Sequence, residues 1–178
     1  YNNMKNIVAT LTLFFATAIS AQVAIGKTSI SSPAVSLEFY DNADNTRGII
    51  LPWVTSTAAV TGAVNGTIVY NTADRKVYVK YASGWRDLSV DTTGTVNPSL
   101  QDSLTDQDTA KVLIGGDPAT DTTPGILVLA DTNKAMVLPK VASPHLNIVN
   151  PSPGMIVYDT TKKQLAVFNG TVWSFWKP

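Results

Sequence analysis

Residues 66–85 read GTIVYNTADRKVYVKYASGW, and residues 154–173 read GMIVYDTTKKQLAVFNGTVW. Aligned without gaps, 7 of these 20 positions are identical: Gly66/Gly154, Ile68/Ile156, Val69/Val157, Tyr70/Tyr158, Thr72/Thr160, Val79/Val167 and Trp85/Trp173. The pattern is that of strands. Thr67–Tyr70 is a β-branched and aromatic run closed by the turn formers Asn71 to Asp74. Lys76 to Tyr81 then alternates, with Val77, Val79 and Tyr81 on one side and Lys76, Tyr78 and Lys80 on the other. Ser83-Gly84 turns the chain into a third short strand at Trp85, and the second stretch carries Asn169-Gly170 there, a pair suited to positive φ. Each stretch therefore predicts a three-stranded meander.

The correspondence extends upstream. Ile50-Leu51-Pro52 matches Val137-Leu138-Pro139, and the proline precedes its glycine by 14 residues in one case and 15 in the other. Val23 to Gly26 matches Val112 to Gly115, and Pro33 to Leu37 matches Pro124 to Val128. Three blocks in the same order define a repeat: a first copy at 22–89, a second at 112–178, and between them residues 90–111, polar and acidic with Asp102, Asp106 and Asp108. That linker has no apolar period and is expected to be extended or flexible. The fold class expected is all-β, two small repeated meander modules with little helix.

At the N-terminal end Lys5 is followed by the apolar run Ile7 to Ala18 and by Ser20-Ala21. This pattern predicts a secretory signal peptide at 4–21, cut between Ala21 and Gln22, with Tyr1 to Asn3 outside the translated product. A membrane span needs about 20 apolar residues, more than the run holds, so none is expected in the mature chain. The expected destination is the periplasm, the cell surface or the medium. The chain has 13 basic and 13 acidic residues, a balance that gives no drive toward nucleic acid. Charged residues make up 15% of it, against about 25% in ordinary domains, which favours self-association. With no cysteine, neither disulfides nor thiolate metal sites are available.

Taken together, Arg47-Gly48-Ile-Ile-Leu-Pro52, Gly66-Thr-Ile-Val-Tyr-Asn-Thr72 and Gly84-Trp85 resemble a module that recurs in exported proteins of Bacteroidetes-type bacteria. Its glycine-to-tryptophan end is also similar to phage tail-fibre and tail-collar modules. The resemblance implies an extracytoplasmic structural or adhesive protein, a homo-oligomer with a trimer favoured, and no reaction.

The residues themselves offer little chemistry. Nucleophilic catalysis needs a base beside its nucleophile, and the single histidine, His145, sits in a loop after Pro144 with no Gly-x-Ser-x-Gly elbow in the chain. Glu38 is the only glutamate, so paired-carboxylate hydrolysis has no obvious second partner. Asp41, Asp44, Asp117 and Asp121 lack the spacing of a calcium loop. No catalytic residue, metal site or cofactor is expected.

The aromatic residues carry the remaining expectations. Tyr70, Trp85, Tyr158 and Trp173, repeated between copies, are expected in the core of each module. Trp53, Phe175 and Trp176 have no counterpart in the other copy and, with Phe168, are candidates for contact with a ligand or another chain. Modules of this size are marginal alone, and Lys76 and Lys80 guard a strand whose second-copy equivalents are Gln164 and Phe168. The second copy is therefore expected to make the intermolecular contact. The alternative is a carbohydrate-binding protein stacking sugars on exposed aromatic rings, with a surface glycan or another envelope protein as partner.

Overall fold

The computed structural model describes residues 22–177 apart from Asp106 and Asp108. The signal segment 4–21 and its cleavage site at Ala21 lie outside the described residues. The protein is all-β. Among the described residues helix is confined to a 3-10 turn, Thr57–Ala59, and a single turn α1, Pro144–Asn147. None is long and apolar enough to cross a membrane.

Fourteen short strands fall into two series. The first copy contributes β1 (Val23–Ile25), β2 (Val35–Phe39), β3 (Ile49–Ile50), β4 (Trp53–Val54), β5 (Ile68–Asn71), β6 (Lys76–Tyr81) and β7 (Gly84–Asp87). The second contributes β8 (Val112–Ile114), β9 (Leu127–Leu129), β10 (Ala135–Val137), β11 (Lys140–Val141), β12 (Met155–Asp159), β13 (Gln164–Phe168) and β14 (Trp173–Trp176). Both meanders form, with Lys80 opposite Trp85 and Phe168 opposite Trp173, the same register in each copy. Each also gains a parallel edge strand, β4 beside β5 and β11 beside β12.

The hairpin tips follow from side-chain chemistry. Asn71 Oδ1 accepts the Ala73 N–H at 2.9 Å, and Asp159 Oδ1 accepts the Thr161 N–H at 2.9 Å. Each turn closes on a left-handed residue at the matching position, Arg75 (φ 62°) and Lys163 (φ 54°). Because β6 and β13 are the middle strands of their meanders, Lys76, Lys80, Gln164 and Phe168 do not border a free edge. The expectation of an edge guarded by lysine in one copy and unguarded in the other is thereby corrected.

Two features were not in the sequence reading. The strands upstream pair in parallel, β1 with β2 and β8 with β9. The copies also exchange strands: β3 of the first pairs antiparallel with β12, and β10 of the second pairs parallel with β2. The main core is accordingly shared, with Leu51, Tyr70, Val77 and Leu88 from one copy packed against Ile156 and Val167 from the other. A second cluster lies on the far face of the second meander, where Val141, Ile148, Met155, Val157, Ala166 and Phe168 pack with Trp173. Period-two alternation sends Ile156 to the first cluster and Met155 and Val157 to the second.

Candidate functional site

The most structured polar and aromatic geometry in the molecule lies where the two copies meet. Tyr70 is fully buried and its hydroxyl donates to Asn169 O at 2.8 Å. Trp53, tilted against Tyr70 with ring centroids 6.0 Å apart, donates from Nε1 to Pro153 O at 2.9 Å. Both rings press on Gly154, where an added Cβ would fall 2.8 Å from Tyr70 Cβ. The left-handed backbone there (φ 79°) and this close approach both require glycine. The Leu51 N–H donates to Gly154 O at 3.1 Å, continuing the β3–β12 ladder past its last paired residue. Burial pushes the Tyr70 phenol up to about 12, so it remains a protonated donor at physiological pH.

On the other side, Trp176 Nε1 donates to Leu88 O and Ser174 Oγ to Ser89 O. The Arg86 guanidinium lies over the Trp176 ring, 5.4 Å from its centroid. The beginning of the acidic segment is tied down as well. Asn169 Nδ2 donates to Asp91 Oδ1 at 3.0 Å, Thr171 Oγ1 to Thr93 O at 2.9 Å, and Thr95 Oγ1 to Gly170 O at 3.0 Å. Gly94 is buried where a Cβ would meet Asn169 O at 2.5 Å. Residues 91–96 thus pack on the second copy, whereas residues 99–105 are exposed.

The electrostatic link between copies is Asp41, which accepts from Lys27 at 3.1 Å and from Lys140 at 3.3 Å. Lys27 also binds Glu38 at 2.9 Å, and the Ser31 N–H donates to the same carboxylate at 2.7 Å. Lys27, then Lys140, hold the Asp41 carboxyl below its ordinary range despite partial burial. Burial raises Glu38, but Lys27 and the Ser31 N–H outweigh it and leave it lowered.

Against this geometry the sequence-derived residues sort as follows. Trp53 and Trp176, expected to face a ligand or another chain, are engaged between the two copies. Phe168 is buried against Trp173, ring centroids 5.3 Å apart, and offers no contact surface. Phe175 alone of the four is exposed, edge-on to His145 at 5.7 Å. Among the repeated residues, Tyr70 is core, Trp85 and Trp173 are half-buried, and Tyr158 is exposed. The core role expected of Tyr158 is therefore corrected: it occupies the place of Tyr70, but no third copy covers it. Sequence reasoning missed Gly154 and Asn169 as the seat of this contact. The Gly66/Gly154 identity was the available signal. Among the described residues no group of three His, Cys, Asp or Glu side chains is placed to hold a metal ion.

Residues 117–177 are similar to a family described as a phage tail like trimerisation region. The match spans β9 to β14, the whole second meander, and leaves the first copy outside. No curated protein and no solved structure matches the chain.

Proposed function

We propose that this chain is a non-enzymatic structural subunit of the tail-fibre type, exported from the cytoplasm and working as a homotrimer. The observation that carries the reading is the similarity of residues 117–177 to a trimerisation region. The composition agrees with it: few charges and apolar side chains left exposed on or beside short strands, among them Ile126 and Leu127 on the second copy. Lys27, Lys140 and Arg86, near the copy junction, are engaged in ion pairs and a ring contact.

Export rests on the apolar run before Gln22, and the resemblance to Bacteroidetes-type surface repeats supports the cell surface or periplasm as destination, with an adhesive role there. Material recovered from the periplasm or medium should begin at Gln22. The carbohydrate-binding alternative is weakened, because Trp53 and Trp176 already donate their indole N–H groups inside the chain.

Light scattering on purified 22–178 tests the oligomer directly. A particle of three chain masses at micromolar concentration is expected, and a monomer across that range overturns the reading.

A further inference from the structure

The contact between the two copies is heterologous: different faces of the same repeated unit meet. The first copy presents Tyr70 and the strands β2 and β3. The second presents Gly154, the β12 edge and β10. Such a contact leaves the opposite face of each unit unused, and it continues into a closed ring or an open filament.

Both unused faces are present on this chain. On the second copy Tyr158 stands where Tyr70 stands in the first, but it is 36% exposed and Tyr70 is 0%. The strand register pairs Val112 with Leu127 as it pairs Val23 with Leu37, so the structural counterpart of Leu37 is Leu127, one residue before the Val128 that the sequence match gives. Leu127 is 47% exposed against 1% for Leu37. On the first copy Gly66 stands where Gly154 stands in the second. Its backbone is equally left-handed (φ 89°), yet a Cβ there would meet nothing within 4 Å. Among the described residues, Thr67 and Ile68, equivalent to Met155 and Ile156, lack the antiparallel neighbour that β3 provides to β12.

The strand edges agree. The Leu51 N–H just past β3 points to Gly154, and the Ala135 N–H of β10 points to Ala34. The matching positions are Leu138 and Gly48, and alternation along a strand directs them to the edge of β10 and of β3 left without a strand. Among the described residues, each of these two strands has one edge filled within the chain and the other edge free.

We propose that one chain joins the next by repeating this internal contact. The second copy of one chain docks on the first copy of another, so that Tyr158 seats on Gly66, β10 pairs antiparallel with Thr67-Ile68, and β9 pairs parallel with β3. The occupant of both faces is a second copy of this chain. Three chains joined in this way would form a ring of six repeated units. The contact between chains is weaker than the one within, because Lys140 replaces Trp53 at the junction and its indole hydrogen bond is lost. The inference rests on the oligomeric reading above but specifies which faces meet.

Cross-linking tests it, aided by a chain with no cysteine. Thr67 and Val137 correspond to Met155 and Ile50, which face each other next to the hydrogen-bonded Leu51–Gly154 pair. Facing residues at such non-hydrogen-bonded sites have Cα atoms about 4.5 Å apart, within disulfide range. The double variant Thr67→Cys/Val137→Cys should give chains joined by disulfides on a non-reducing denaturing gel, up to three chain masses, while each single variant gives none. Leu127→Asp, at a position already exposed, should shift the particle to monomers at least 10-fold more readily on dilution with its circular dichroism unchanged. A trimer that neither cross-links through the double variant nor responds to Leu127→Asp overturns this inference and leaves the trimer standing. Cross-linking by Thr67→Cys alone also overturns it, because that requires like faces to meet. A monomer overturns both.

Discussion

Tyr70 and Gly154 are in van der Waals contact so close that no side chain fits between them: a Cβ on Gly154 would lie 2.8 Å from Tyr70 Cβ and 3.0 Å from Cγ. Gly66 has the same left-handed backbone with open space around it. The two glycines therefore separate conformational strain from crowding. Gly66→Ala should cost the dissociated chain about 1 kcal/mol for its positive φ. Gly154→Ala should add a further overpacking cost of about 1–3 kcal/mol. Denaturant unfolding of both variants at low protein concentration measures the difference, and equal losses would show that the Tyr70 ring is not seated there.

The hydroxyl of Tyr70 gives a second test. Tyr70→Phe leaves Asn169 O without its buried donor and should cost about 1–3 kcal/mol at neutral pH. The same burial sets an alkaline limit. With the folded value raised to about 12 from an ordinary 10.0, the phenol stabilises the fold fully below pH 10, and that contribution is lost as pH rises from 10 toward 12. Tyr78, raised by burial and by its bond to Asp74, acts in the same direction. Melting temperature should fall over this window, and less steeply in Tyr70→Phe than in the parent.

The acid limit has the opposite sign. Asp41 is held below its ordinary 3.8 by Lys27 and Lys140, and Glu38 below its ordinary 4.5 because Lys27 and the Ser31 N–H outweigh burial. A lowered folded value contributes stability that is present above the unfolded value and lost as pH falls through the folded one. Thermal melts should therefore decline below about pH 4. Glu38→Gln should melt lower at pH 7 and decline less on acidification. A variant with the parent's acid profile would show that the buried Glu38–Lys27 pair does not set this limit.

The paired tryptophans differ in ways that their identity in the repeat hides. Both are half-buried, but Trp173 packs on Phe168 in the second cluster, whereas Trp85 lies opposite Lys80. Trp173→Ala should approach the about 3–5 kcal/mol of a buried aromatic truncation, and Trp85→Ala should fall well short of it. Equal losses in urea titrations would indicate a cover over Trp85 that the chain alone does not supply.

Strand type and the hairpin turns were legible because alternation and turn residues are local signals: Asn71 and Asp159 cap their own turns whatever surrounds them. Which aromatic is buried was not legible, because Tyr70 and Tyr158 sit in the same local sequence and differ only in whether another copy lies over them. Trp53 and Trp176, expected to face a ligand or another chain, bond within the chain, to Pro153 O and Leu88 O. The parallel pairs β1–β2 and β8–β9 escaped detection because β1, β8 and β9 have three residues each, too few to carry a measurable period, and long loops join the partners. The strand exchange between copies leaves no trace in either copy's own pattern.

That exchange makes the first copy dependent on the second. A third of the buried shared core, Ile156 and Val167, comes from the second copy, and β2 is buried on the edge covered by β10. Residues 91–96 add hydrogen bonds to Asn169, Gly170 and Thr171, whereas residues 99–105 are exposed and bound only by local turns. Cleavage within 99–105 should therefore leave the two fragments associated, since loops can be cut where little backbone is buried. The fragment 22–96 expressed alone should be unfolded, because removing the partner exposes the Tyr70 ring and strips the apolar contacts that a module of this size cannot replace. Co-expression of 22–96 with 97–178 should restore a cooperative unfolding transition. Gel filtration of the nicked protein, followed by circular dichroism of the separate fragments, measures both outcomes. A folded, cooperatively melting 22–96 fragment would show that the shared core is a docking of two independent units.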